Sequence, residues 1–367
     1  METGISMRAA AGALPALCAL ALAALLLLMP AVIALCRRWE LYDYPNVRKR
    51  HTAPTPRLGG VGIAAGVFVG FLVAALVWPE LLADLAPQLP GILLAGLLIL
   101  ALGLYDDLVG APAYLKLGVQ ALAALLLCLW DFKFSTVYVP FVGRLGLGVL
   151  SVPVTVLWIV TVTNSLNLID GVDGLAAGVA AIGGGFLAVI GLLWSIPHIA
   201  VLGAIIVGAT VGFLRYNYPP ARVFMGDSGA LFLGFLFAVA SVSVPIKTLT
   251  VVTMALPLLA VGIPLVELCI STVRRLAAGR SPLRADRLHW HHLLLRRGWS
   301  TKRLIWTYYA IAFGFGLFVP ALHLVDRYYV LPVFILFCVW VISYLTGHAK
   351  EKKTGWQPDS SVKHARV

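Results

Sequence analysis

The chain predicts an all-α, polytopic integral membrane protein of about eleven transmembrane helices, and three observations carry that expectation. Sixty per cent of its 367 residues are hydrophobic and only 12% are charged, with a mean hydropathy of +0.93. A soluble globular domain carries about a quarter charged residues, so that class is excluded. Apolar runs recur along the whole chain, at a length suited to about 30 Å of hydrocarbon, which takes about 20 helical residues. The third observation is an asymmetry of basic residues between alternate loops.

The runs lie at 11–35, 58–78, 89–105, 115–130, 149–167, 174–195, 198–214, 228–245, 249–273, 303–324 and 328–346. The segment 249–273 holds Pro257, Pro264 and Glu267, so a kink is expected there, with neighbouring helices satisfying the freed backbone groups. The first run is too long for a secretion signal, its basic cluster follows instead of preceding it, and Leu35 before Cys36 is too bulky for a lipoprotein cleavage box. With loops placed on alternate sides, 23 of the 28 lysines and arginines collect on one side. The other side keeps Arg8, Lys133, Arg144, Lys247 and Arg327. The positive-inside rule then puts the N-terminus outside and the C-terminus in the cytoplasm.

The net charge of +12 resides in loops between spans, which argues against nucleic acid as a partner and for anionic lipid or substrate. Cys18, Cys36, Cys128, Cys269 and Cys338 are scattered singly and read as small core residues without metal-type spacing. Residues 132–139 alternate β-branched and aromatic side chains, the pattern of a small hairpin on the outer face. Residues 1–346 read as one membrane-embedded domain and 347–367 as a basic cytoplasmic tail. No internal repeat or soluble domain is apparent.

Every cluster of carboxylates, amides and histidines falls on the cytoplasmic side of this arrangement. Asn164, Asn167, Asp170 and Asp173 crowd into ten residues between two apolar runs, with glycines at 171, 174 and 178 that permit tight turns. An ionisable residue at bilayer depth costs about 2.5–3.5 kcal/mol on insertion scales, so this cluster should face water, a cation or a charged substrate. Arg48, Lys49, Arg50 and His51 precede Pro54-Thr-Pro-Arg57-Leu-Gly-Gly. Asp106 and Asp107 are adjacent at a helix end and followed by Lys116, where one carboxylate can act as a base or both can retain a hard cation.

Asp227 opens a helix within Gly-Asp-Ser-Gly, near Asn217 and Phe224, where backbone N–H groups can bind an anion or a carboxylate can face a metal. Asn167, Asp170, Asp173 and Asp227 are hard oxygen donors suited to Mg²⁺, for which Mn²⁺ can substitute. His289, His291 and His292 sit among Arg284, Arg287, Arg296 and Arg297, a setting that repels zinc and grips a diphosphate. Carboxylates of the Mg²⁺ type facing a basic loop form a plan for phosphoryl transfer at a membrane surface. A transporter or lipid-linked sugar flippase, and a hydrolase, are the competing readings. Polar groups at one face, without paired broken helices, disfavour transport.

These motifs, in order from Arg48 to His292, resemble the polyprenyl-phosphate N-acetylhexosamine-1-phosphate transferases. The resemblance implies transfer of a sugar 1-phosphate from a UDP-N-acetylhexosamine to undecaprenyl phosphate with release of UMP. It implies that Asp106 and Asp107 bind or deprotonate the lipid phosphate and that Lys116 contacts phosphate. Asn167 and Asp227 would bind Mg²⁺, with Asp227 also catalytic, while Asp170, Asp173 and Phe224 would lie by the nucleotide, Asn217 accompanying them. His289, His291 and His292 match a His-x-His-His signature that engages diphosphate or sugar. That signature and Pro-Thr-Pro-Arg57-Leu-Gly-Gly are similar to the GlcNAc-1-phosphate branch of the family more than to its MurNAc-pentapeptide branch. The implied setting is the inner (plasma) membrane with a cytoplasmic active site, in surface-glycan or wall-polymer synthesis. A homodimer is compatible with such a chain.

Overall fold

A computed structural model describes residues 2–44, 53–139, 143–243, 275 and 289–349. The protein is a helical bundle. Its membrane-scale helices are α1 (Glu2–Arg38), α2 (Gly59–Val77), α3 (Leu89–Val109), α4 (Ala113–Leu129), α5 (Ser151–Ile169), α6 (Leu175–Leu193), α7 (Pro197–Asn217) and α8 (Gly226–Ser243). A short α9 (Trp290–Arg296) then leads into α10 (Thr301–Leu324) and α11 (Arg327–Ala349). Among the described residues nine helices are long and apolar enough to cross a membrane. Helix α4, with 17 residues, is shorter, about 26 Å at 1.5 Å per residue. Ten of the eleven expected runs therefore coincide with described helices. The run at 249–273, with Pro257, Pro264, Glu267 and Cys269, lies outside the described residues, as do Arg48, Lys49, Arg50, His51, Arg284, Arg287 and the tail from 350 onward.

Helices α7 and α8 form the interior, and small residues set their approach to their neighbours. Helix α7 packs against α1, α2 and α6, and α8 against α2, α3 and α5. Gly208 of α7 faces the backbone of Cys18 on α1, and Gly234 of α8 that of Thr163 on α5, with no room for a Cβ at either point. In hydrocarbon, where apolar burial no longer favours helix over lipid, such close packing and interhelical hydrogen bonds hold the bundle. Trp158 Nε1 donates to Ser241 Oγ at 2.8 Å between α5 and α8. The Gln120 and Asn164 amides bond reciprocally between α4 and α5.

Among the described residues, sheet is confined to two pairs. Strand β1 (Tyr42–Asp43) pairs antiparallel with β2 (Thr55–Pro56). Strand β3 (Thr136–Val139) pairs with β4 (Gly143–Gly146), from Thr136 opposite Gly146 to Val139 opposite Gly143. The alternation at 132–139 thus marks one arm of a hairpin, between the C-terminal end of α4 and the start of α5. Cys18, Cys36, Cys128 and Cys338 are free thiols within helices.

Alternation of helix direction brings six chain segments to the opposite end of the bundle. These are the C-terminal ends of α3, α5 and α7, the N-terminal ends of α4 and α8, and the α5–α6 link. They carry the polar residues that the sequence singles out.

Candidate active site

The site is built around the start of α8. Gly103 of α3 has no room for a Cβ against the backbone of Asp227 and Ser228, so α3 approaches the α8 N-terminus closely. One turn further on, Asp107 lies against that terminus and accepts the Asp227 N–H at 2.7 Å on Oδ1 and the Ser228 N–H at 3.1 Å on Oδ2. The Ser228 hydroxyl donates to Oδ2 as well, at 2.6 Å. A helix N-terminus carries unpaired N–H groups and partial positive charge, which a carboxylate satisfies. The anion expected at Gly-Asp-Ser-Gly is thus a side chain of the protein itself.

Asp106 faces the other way. It accepts the Ala111 N–H at 2.7 Å and pairs with Lys116 Nζ at 2.8 Å. The same ammonium lies 2.5 Å from Asp227 Oδ2, and Asn167 Nδ2 donates to Asp227 Oδ1 at 3.0 Å. One oxygen each from Asp106, Asp107 and Asp227 lies within 4.8 Å of the others, which makes this trio a candidate metal-binding group. The donor set is hard oxygen. Three carboxylates against the single ammonium of Lys116 also leave a charge that a divalent cation would balance.

A cleft of about 1240 Å³ opens from this cluster. Asp106, Asp107 and Asp227 line it together with Asp170, Asp173, Asn217, Phe224 and His292. Asp173 Oδ2 accepts the Ala221 N–H at 3.0 Å, tying the α5–α6 link to the segment before α8. The Asn217 amide is committed to backbone: its oxygen accepts the Gly174 N–H at 2.8 Å and its nitrogen donates to Val223 O at 2.9 Å. Phe224 is fixed by its main chain, the N–H donating to Pro56 O at 2.8 Å and the carbonyl accepting from Gly59 N–H at 3.0 Å. Burial, then the negative charges of Asp227, Asp107 and Asp173, push the Asp170 carboxyl well above the usual carboxylate range.

His291 and His292 approach Gly171 of the α5–α6 link. Their ring centroids are 4.3 Å apart, and His289 stacks on His291 at 5.6 Å. His292 faces the cleft, while His289 and His291 are buried behind it.

The structure adds residues to those chosen from sequence. Arg57 lines the cleft and donates from Nη2 to Leu108 O at 3.3 Å. Its place in Pro-Thr-Pro-Arg57-Leu-Gly-Gly was a signal that singled out the motif without giving the guanidinium a role. Lys302 lines the cleft, as do His292 and the Arg296 that the sequence already groups with the histidines. Its position just after the histidine signature was the clue to it. Ser228, as part of the α8 cap, could have been read from Gly-Asp-Ser-Gly.

A polytopic helical bundle with a carboxylate cluster, a bridging ammonium and a cleft lined in part by guanidinium and imidazole groups defines a membrane protein with a charged cleft at one end. Comparison with known proteins narrows this class. Residues 89–245 match the model of glycosyl transferase family 4. The chain is 33% identical over 333 residues to a Bacillus subtilis protein named as a probable undecaprenyl-phosphate N-acetylglucosaminyl 1-phosphate transferase, covering 89% of this chain and 90% of that one. It is 34% identical over 310 residues to a decaprenyl-phosphate N-acetylglucosaminephosphotransferase of Mycobacterium leprae, covering 76% and 77%. A Thermotoga maritima undecaprenyl-phosphate alpha-N-acetylglucosaminyl 1-phosphate transferase is 30% identical over 302 residues, covering 82% and 87%. The chain belongs to glycosyl transferase family 4.

Proposed function

We propose that the protein transfers N-acetylglucosamine 1-phosphate from UDP-N-acetylglucosamine to undecaprenyl phosphate, giving undecaprenyl-diphospho-N-acetylglucosamine and UMP. The observation that carries this reading is the juxtaposition of the Asp106–Lys116–Asp227 cluster with a cleft large enough for a nucleotide sugar, at one end of a membrane bundle. The relatives' names supply the sugar and the polyprenyl acceptor. Tyr105, Leu108 and Tyr114 are exposed beside Asp106 and Lys116, an apolar approach for a lipid tail whose phosphate must reach the cluster.

In this reading a lipid-phosphate oxygen attacks the β-phosphorus of the nucleotide sugar in line. The new O–Pβ bond forms as the bond from Pβ to the bridging oxygen breaks, and UMP leaves with that oxygen. Lys116 and Arg57 hold the anionic phosphates and neutralise charge that builds on the leaving group. Asp106 holds Lys116 in place. His292, Arg296 and Lys302, which line the same cleft, orient the donor. Asp227, Asn167 and Asp106 would hold Mg²⁺, which supplies charge neutralisation of the diphosphate. The bias of basic loops supports a cytoplasmic cleft, with the inner (plasma) membrane as the setting in this reading, and the product's chemistry supports initiation of a surface glycan or wall polymer.

The test is UMP release by purified protein in detergent with undecaprenyl phosphate, Mg²⁺ and a panel of UDP-sugars. Release from UDP-N-acetylglucosamine only when acceptor and metal are both present is expected. Release without acceptor would make the protein a hydrolase. Silence with every sugar would return it to the transporter class.

A further inference from the structure

The α5–α6 link, which carries Asp170 and Asp173 on the cleft wall, ends at Gly174 in the left-handed region, at φ 75°. That residue is gripped from two sides. Its N–H donates to Asn217 Oδ1 at 2.8 Å, and its carbonyl accepts the Tyr309 hydroxyl at 2.6 Å as well as the helical Gly178 N–H at 3.0 Å. Tyr309 comes from α10, the helix whose first turn supplies Thr301 and Lys302 to the lining of the same cleft. The tyrosine reaches the link because Gly178 leaves space on α6: a Cβ there would collide with the phenol ring. Trp306 packs edge-on against the same ring, with centroids 5.7 Å apart.

We infer that Tyr309 is a positioning residue for the donor: its hydroxyl fixes the end of the acidic link relative to α10 and so sets where Asp170 and Asp173 stand relative to Lys302 in the cleft lining. The inference rests on the proposed transferase reading, in which these residues enclose the nucleotide sugar while the lipid phosphate enters beside Asp106. The hydroxyl touches neither the cleft nor the carboxylate cluster. Its loss should therefore loosen one substrate's site and not the other's. A phenol serving only to hold α10 against α6 would show itself in stability and in both substrates alike.

The experiment is steady-state kinetics of Tyr309→Phe and Gly178→Ala in the full-length protein, with donor and acceptor varied in turn and thermal unfolding measured in the same detergent. Tyr309→Phe keeps the ring and its packing and deletes one hydrogen bond, so a rise of about three- to tenfold in KM for the UDP-sugar is expected. KM for undecaprenyl phosphate and the unfolding midpoint should stay at parental values. Gly178→Ala, which displaces the ring itself, should raise the donor KM at least as much. Parental donor KM in Tyr309→Phe, or equal changes for both substrates, would overturn the positioning role whatever Gly178→Ala does. Absence of acceptor-dependent UMP release by the parent would instead remove the transferase reading, so the two failures are distinct.

Discussion

Lys116 Nζ lies 2.5 Å from Asp227 Oδ2, and the same ammonium is 2.8 Å from Asp106, so one lysine neutralises the oxygens best placed to take a cation. A lysine in that position competes with a divalent ion for the same ligands. It is also the group best placed to swing toward a phosphate once a divalent ion has arrived. Replacing it by methionine should separate the two roles. Lys116→Met is expected to bind Mn²⁺ more tightly than the parent, read as a larger metal-induced rise in unfolding temperature, while UMP release falls at least about 100-fold. Equal metal responses in variant and parent would show that ion and ammonium do not share these oxygens.

Asp227 is bound by both Lys116 and Asn167. Asp227→Asn keeps the shape and one acceptor oxygen while removing the charge. Turnover should drop at least about 100-fold, and the residual rate should lose most of its dependence on Mg²⁺ concentration. A variant with the parent's rate and metal dependence would take Asp227 out of the site.

The adjacent acids of α3 should respond differently. Asp107 accepts three hydrogen bonds from the start of α8, so Asp107→Asn turns an amide donor toward donors already there and deletes the charge that the helix terminus favours. The expected cost is about 1–2 kcal/mol of stability, visible as a lower unfolding midpoint. Asp106→Asn should leave that midpoint nearly unchanged and lower turnover, because Asp106 serves Lys116 and a single loop N–H. Matching midpoints for the two variants would contradict this division.

That division marks what the chain reveals before it folds. The helices were legible because a bilayer demands length and apolarity together: the run at 198–214 lies within Pro197–Asn217, and that at 89–105 within Leu89–Val109. The candidate polar residues were legible because charge between such helices is costly and therefore conspicuous. The pairings were not. Asp106 and Asp107 are neighbours of identical chemistry, and a helical step of about 100° sends one to Lys116 and the other to α8. Asn217 lines the cleft, and its amide is engaged at both ends, by Gly174, which the packing of α6 on α7 brings near, and by Val223, which the bend after α7 returns to it. Tyr309, one aromatic among many in an apolar helix, gave no signal apart from its partner glycine 131 positions earlier.

Asp170 provides a test that is independent of turnover. Its carboxyl is pushed up chiefly by burial and then by Asp227, Asp107 and Asp173, so the folded protein holds this proton more tightly than the unfolded chain does. The associated stability is fully present below the ordinary aspartate value, and is lost as pH rises through the elevated one and the site must either ionise or strain. Asp170→Asn retains size and hydrogen-bonding capacity without ever becoming charged. In metal-free buffer its unfolding midpoint should match the parent's at about pH 4 and exceed it increasingly toward about pH 8. Mg²⁺ should narrow the gap at high pH by stabilising the ionised parent more than the variant. A gap of constant size across the range would mean that Asp170 titrates alike in the folded and unfolded chain, and the crowding of four carboxylates would then be relieved by contacts other than a shared proton.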